Sequence, residues 1–330
     1  MRGRLAILFF ALFALVASWF TIWATWRYQK LAQDIAWLED RSFDTLTMLT
    51  IGTGSAYENP NRLGPVSAIG IGTRIALVDA GRGIAEALRR CHIRASQPEA
   101  VYLSSLLPEN IVGLDDLLAT GWLAAREVPL RLIGPPGTEE LAAAILAAQA
   151  PGTDALAREV GLPRAGALLD VVEASDGWSE TRDDGVTIRA GAVGARPLPS
   201  LAWRFETTAD AARAALALVV AGSGPEPAAL EAFSQGAGLL AVEGFFRASV
   251  DAVIEAGDPD AERLRREADL HLATGDVGRL AERADIPLLV LTRLRPPPMF
   301  DQQLKTAIQA HYRGRVVVAE DCDSFSGGGD

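Results

Sequence analysis

The hydrophobic and polar positions divide the chain into two regimes. From Leu5 to Trp26 the sequence LAILFFALFALVASWFTIWATW carries no charge, with Arg2 and Arg4 before it and Arg27 and Lys30 after it. At 1.5 Å rise per residue, about 20 apolar residues cross a bilayer's hydrocarbon core, so this stretch predicts a transmembrane helix. Trp19, Trp23 and Trp26 crowd one end, where aromatic rings favour the headgroup level. A cut after Ser18, with Val16 at the −3 position, would make it a cleaved leader but leave WFTIWATW as the new terminus, so the uncleaved anchor is preferred. Residues 1–26 are thus read as the anchor and 27–44 as a juxtamembrane segment. Tyr28 to Asp40 within it form a short amphipathic helix with Leu31, Ile35, Trp37 and Leu38 on its apolar side. Basic residues flank both ends; the expected topology is single-pass, with the remainder on the non-cytoplasmic side.

From Thr45 the pattern changes to short apolar runs alternating with helical stretches. TLTMLTI, IALVDA, AVYL, PLRLI, LALVV, GLLAVE, IPLLVL and RVVVAE predict strands, and Ile84 to Arg90, Ile111 to Arg126 and Glu139 to Gln149 predict helices. Such alternation implies a layered α/β domain over 45–330, with no solenoid repeat and a frayed tail, SFSGGGD. IGTGSA at Ile51 follows a strand but leads into the loop YENPNRLGP, and GPPGT at Gly134 lacks the lysine of a phosphate-binding loop, so both are read as turns.

Composition narrows the chemistry. With 31 Lys+Arg against 42 Asp+Glu, the net charge is −11, which removes the general attraction to phosphate backbones and predicts no nucleic-acid partner. Cys91 and Cys322 show no CxxC spacing; buried thiols are preferred, with a disulfide possible in an exported domain. His92, His271 and His311 are the three histidines. A histidine-rich metal site is difficult to build from so few.

Taken in order, LTIGTGSAYENPNRLGPVSAIGIGTRIALVDAGRG, VYLSSLLPENIVGLDDLLATGWL, PLRLIGPPGT, LVVAGSG and LLVLTRLRPPP resemble the metallo-β-lactamase-fold hydrolases, in the ribonuclease Z and arylsulfatase-like branch. The resemblance implies a four-layer αβ/βα sandwich whose loops hold two zinc ions at one sheet edge, sharing a hydroxide of lowered pKa. The family's THxHxDH cluster falls on Ser104 to Asn110. Ser105 and Leu107 therefore stand where two histidines belong, Glu109 where an aspartate belongs and Asn110 where a third histidine belongs. The later ligand positions fall on Gly194, on Ser223 in AGSG and on Arg293 in LTRL. Of these, Glu109 alone retains a good zinc donor, so the expected cofactor is none, with zinc absent.

The family-like VDAG turn places Asp79 near Glu109, and two carboxylates without a dication would repel. Arg293 is expected to bring its guanidinium into the cavity and pair with one of them. His271, in ADLHLATGD, matches a position whose histidine assists proton transfer in the ribonuclease Z branch. It is a candidate general acid/base, against the reading of a loop residue that caps the next helix or fixes the loop. Ser105 with His271 offers a nucleophile and a base, but no GxSxG elbow supports them. The segment ETTADAARAALAL, between Gly194 and Ser223, is neither long nor basic enough for the substrate arm of a ribonuclease Z. The resulting expectation is an anchored, zinc-free domain acting as a binding or scaffolding module for a small ligand or a protein. The enzyme alternative is a hydrolase of phosphate, sulfate or carboxylic esters with a remodelled site.

Overall fold

The computed structural model describes residues 2–35, 38–207, 216–296 and 300–326. Part of the segment read as too short for a substrate arm, and two residues of the PPP run, lie outside them. The chain divides into two compact units, Met1–Glu39 and Asp40–Asp330.

The first unit holds one helix, Arg2–Ile35, long and apolar enough over Phe9–Leu31 to cross a membrane. The separate juxtamembrane helix expected from Tyr28 is not found. Nothing in TWRYQKLAQDI breaks a helix, so the turn pattern continues unbroken to Ile35; Trp37 lies outside the described residues.

The second unit is built on two seven-stranded sheets. The first contains β1 (Phe43–Gly52), β2 (Val66–Gly72), β3 (Arg74–Val78), β4 (Pro98–Tyr102), β5 (Leu130–Gly134) and β6 (Leu169–Glu173). The second contains β7 (Ser179–Thr181), β8 (Val186–Gly194), β9 (Ser200–Thr207), β10 (Leu216–Ala221), β11 (Leu239–Phe245), β12 (Leu288–Arg295) and β13 (Arg315–Val318). The chain then returns to the first sheet as β14 (Ser324–Ser326), giving the order β14-β1-β2-β3-β4-β5-β6 against β13-β12-β11-β10-β9-β8-β7. Strands β3 to β6 run parallel, as do β10 to β13.

Three apolar layers hold the sheets together, and alternation along each strand decides which layer a residue joins. Ala100 and Tyr102 of β4 face Trp203, Phe205 and Val220 between the sheets, whereas Val101 packs outward with Leu88, Leu114 and Leu118 of the covering helices. On the second sheet Ala241 and Val290 point between the sheets, while Leu240, Val242, Leu289 and Leu291 meet Leu280, Leu304 and Ile308 outside. The four-layer αβ/βα sandwich follows: both faces of each sheet are buried, which explains the near-continuous apolar runs in the parallel strands.

Several local expectations are corrected. The helix read over Ile111 to Arg126 is two, Pro108–Ile111 and Leu114–Leu123. Gly113 separates them because a side chain there would meet the Gly81 carbonyl at 2.2 Å, where the VDAGRG turn packs against it. The Thr138–Val160 helix runs past Pro151, beyond the expected end at Gln149. Cys91 and Cys322 form a disulfide and are not free thiols. That bond ties down the chain beside β14, so SFS pairs antiparallel with β1 where a frayed tail was expected.

Candidate functional site

The residues singled out in the sequence gather at the carboxyl ends of the parallel strands, where an open α/β sheet leaves a crevice. Asp79 follows β3, Ser104 and Ser105 follow β4, Ser223 follows β10, Arg293 lies near the end of β12 and Gly194 ends β8. Glu109 and Asn110 ride on the short Pro108–Ile111 helix. His271 precedes the Thr274–Arg283 helix. Close approach of the loops is enforced at Gly222, where a Cβ would sit 2.3 Å from Ser104 Oγ.

Five of these side chains form a buried polar cluster. Ser104 donates its backbone N–H to Asp79 Oδ1 at 2.7 Å and its hydroxyl to Oδ2 at 2.8 Å. Asn110 Nδ2 donates to Ser105 Oγ at 2.8 Å and Ser104 Oγ at 3.2 Å, and its Oδ1 accepts from Arg293 Nη1 at 2.7 Å. The Arg293 Nη2 group pairs with Asp79 Oδ2. Arg293 is 5% exposed and Asp79 0%. The expected Arg293 ion pair is therefore with Asp79, and Glu109 has another partner. Burial raises the Asp79 pKa; the Arg293 charge and the two Ser104 hydrogen bonds pull against it. Both Asp79 (φ 64°) and Arg293 (φ 51°) adopt left-handed backbone conformations, which cost non-glycine residues roughly 1–2 kcal/mol each. The surrounding hydrogen bonds hold both in place: Asp79 N–H donates to the Tyr102 carbonyl, and Leu294 N–H to that of Thr53.

Outside this cluster lies a cleft of about 210 Å³ whose wall includes Leu107, Glu109, Arg196, Ser223, Leu270 and His271. Ser223 donates its hydroxyl to Glu109 Oε1 at 2.6 Å. His271 Nδ1 lies 2.7 Å from Glu243 Oε2. An ionised carboxylate only accepts, so Nδ1 carries the proton and Nε2 is left for other partners. Glu243 Oε1 also receives the N–H groups of Gly224 and Leu272, and the imidazole stacks on Phe245 with ring centroids 4.8 Å apart. Burial lowers the His271 pKa, but the Glu243 hydrogen bond and charge, with Glu109 adding to them, outweigh it and leave the pKa raised. His271 does not cap the following helix, whose cap residue is Ala273. Gly194 packs near the Gly224 backbone and Ser200, and contributes no donor.

Glu243 was not anticipated from the sequence, although it left a signal. It is the one charged residue in the otherwise apolar LLAVEGF strand, and a carboxylate at such a position needs dedicated partners. Among the described residues, no group of three or more His, Cys, Asp or Glu side chains is placed to hold a metal ion.

Two parallel-centred sheets packed face to face, helices outside, and a polar cluster at the strand ends define the metallo-β-lactamase fold. Solved structures agree: YhfI of Bacillus subtilis, itself described as a metallo-β-lactamase-fold protein, superposes with a TM-score of 0.64 at 18% identity, covering 86% of this chain and 99% of that one. The short form of human tRNase Z gives 0.60 at 17% identity, covering 85% and 99%. No protein-family model matches the chain. In sequence, the ribonuclease Z of Mycobacterium sp. (strain KMS) is 33% identical over 276 residues, 82% of this chain and 89% of the relative. That of Mycolicibacterium paratuberculosis is 31% identical over 286 residues, 82% and 94%. The chain belongs to the metallo-β-lactamase-fold superfamily, in its ribonuclease Z branch.

The expectation of no nucleic-acid partner is overturned by these relatives, which are named for action on RNA. It rested on the net charge of the whole chain, and that quantity does not describe the field within one cleft.

Proposed function

We propose that this protein is a membrane-anchored member of the branch that has exchanged its metal centre for an internal ion pair and serves as a binding module. The observation that carries this reading is Arg293. Its guanidinium lies buried between Asp79 and Asn110, so a fixed positive charge stands at a position the family resemblance assigns to a metal ligand. The rest of the donor set is equally unsuited to zinc: two hydroxyls (Ser105, Ser223), an amide (Asn110), an aliphatic side chain (Leu107), a glycine (Gly194) and the single carboxylate of Glu109. Removing two dications leaves Asp79 needing a counter-charge in a dry interior, and Arg293 supplies it.

The proposed anchor lies within the Arg2–Ile35 helix, which takes up part of the segment read as a linker over 27–44, and the sandwich domain begins with β1 at Phe43, two residues before the boundary expected at 45. The apolar Phe9–Leu31 stretch supports membrane insertion, and the Cys91–Cys322 disulfide supports a domain on the oxidising, non-cytoplasmic side. The decisive experiment is elemental analysis of the purified full chain before and after zinc loading. Less than a tenth of an equivalent is expected in both states; near-stoichiometric zinc in either refutes the reading.

A second reading is favoured by one observation, the Glu243–His271 pair beside Ser223 and Glu109 on the cleft wall. An imidazole oriented by a carboxylate can move a proton in metal-independent hydrolysis of a phosphate, sulfate or carboxylic ester. RNA belongs among the substrates and ligands assayed, since the relatives carry the ribonuclease name. Turnover that resists chelators and disappears in His271→Ala would establish this enzyme reading over the binding module.

A further inference from the structure

A second, larger chamber adjoins the cleft. Its volume is about 320 Å³, its wall is almost wholly apolar around Tyr57, Phe245, Val250, Leu264, Ala268 and Pro296, and it shares Glu267 and Arg295 with the cleft. The shared residues neutralise one another. Arg295 pairs with Glu267 and lies over the Tyr57 ring at 4.3 Å, and Tyr57 donates its hydroxyl to Glu267 Oε1 at 2.7 Å. Arg263 is likewise occupied by Asp260 and Glu267.

The cleft has a different balance. Arg196 is exposed on its wall and forms no ion pair among the described residues, and His271 has Nε2 free because Nδ1 is held by Glu243. Glu109 lines the same cleft, near enough for its charge to act on His271, and its Oε1 accepts the Ser223 hydroxyl, so an anion is turned toward Arg196. Polar recognition thus sits at one end and a half-open, largely apolar pocket at the other, within the size range of small-molecule sites.

Building on the binding-module reading, we propose that the two chambers together bind a single-chain amphiphile with an anionic head. The head accepts hydrogen bonds from the Arg196 guanidinium and, when the imidazole is doubly protonated, from His271 Nε2–H, and the chain fills the space among Phe245, Val250, Leu264 and Ala268. Such molecules partition into the membrane to which the protein is anchored, so the ligand is available where the protein resides.

The test uses the full chain in lipid nanodiscs and a dodecyl phosphate carrying a terminal diazirine, with labelled residues mapped by mass spectrometry. Labelling of the Val250–Ala268 region is expected. Unlabelled alkyl phosphates should compete roughly fourfold better per added methylene until the chamber is full. Arg196→Ala should weaken competition about tenfold through loss of a charge-assisted hydrogen bond, and Val250→Trp should abolish labelling by filling the chamber. Dodecanoate should compete as dodecyl phosphate does, since the head is recognised as an anion, whereas dodecanol should compete at least tenfold less well. Labelling confined to the Arg2–Ile35 helix, labelling untouched by both substitutions, equal competition by dodecanol, or displacement by single-stranded RNA but not by dodecyl phosphate would each overturn the proposal. Zinc measured in the same sample separates the two levels of failure: zinc-free protein that does not label refutes the ligand alone, and zinc-loaded protein refutes the module.

Discussion

Replacing Arg293 by alanine is the most informative perturbation of this molecule. The guanidinium is 5% exposed, its partner Asp79 is 0% exposed, and it also donates to Asn110 Oδ1. Removing one member of a buried pair leaves the other uncompensated, at a cost of about 3–5 kcal/mol. Relief of the left-handed backbone at Arg293 returns little, because alanine is strained there too. With the arginine gone, nothing but the Ser104 hydrogen bonds opposes the burial that raises Asp79, so the folded protein holds a proton that the unfolded chain releases near the ordinary aspartate value of 3.8. A folded-state carboxylate pKa above the unfolded one means that stability falls as pH rises between the two values. The variant should therefore lose less at pH 5 than at pH 8. The companion Arg293→Met with Asp79→Asn, which removes both charges, should recover most of the loss. Urea titration of the full chain in detergent, followed by tryptophan fluorescence, reads both effects; a slope of about 3 kcal/mol/M converts the loss into a midpoint shift of roughly 1–1.7 M. A single variant within 0.5 kcal/mol of the parent (~RT), or a double variant less stable than the single one, would refute the buried-pair reasoning.

The remaining predictions follow from other parts of the structure. The raised pKa of His271 means that its pairing with Glu243 stabilises the fold fully below the unfolded value near 6.5 and is lost as pH rises through the folded value; His271→Asn should flatten that dependence in thermal melts recorded from pH 5 to 9. Reduction of Cys91–Cys322, which closes a separation of 231 residues, should lower stability by up to about 5 kcal/mol, read as a lower melting temperature with reductant. The full chain should remain with membranes through alkaline carbonate extraction, whereas a chain lacking the Met1–Glu39 unit should be released; retention of the shortened chain would refute anchoring by that unit.

Legibility in the sequence followed burial. Parallel strands covered on both faces announce themselves as apolar runs, and every run read as a strand is one. The strands that escaped notice, among them β2, β8 and β9, carry glycine, threonine and arginine: VTIRAGAVG alternates buried with exposed positions in the burial pattern BiBeBBeBi. The ion pair at Arg293 could be argued beforehand because charge conservation in a dry cavity leaves few choices. Its partner could not, since Asp79 and Glu109 are distinguished only by the turn geometry that gives one of them to Arg293 and the other to Ser223. Glu243 required the fold, because its role depends on two loops, at Gly224 and Leu272, meeting at the end of one strand.

The two acidic residues that define the site, Asp79 and Glu243, are compensated in different ways, and the difference separates structure from recognition. Asp79 is closed off: among the described residues, every polar contact of its carboxylate is with Ser104 or Arg293, both buried, so nothing from solvent can use it. Glu243 is buried as well, yet it spends one oxygen on His271, and the far side of that imidazole reaches the cleft. A change at Asp79 should therefore act on stability alone. A change at Glu243 should act on stability through the Gly224 and Leu272 amides, and on ligand affinity through the orientation of His271. Glu243→Gln keeps an acceptor for an amide but removes the charge that raises the imidazole pKa. It should weaken anionic ligands more at pH 7 than at pH 5, where the higher proton activity favours the imidazolium in variant and parent alike. Equal weakening at both pH values would place the effect in the loops and remove His271 from recognition.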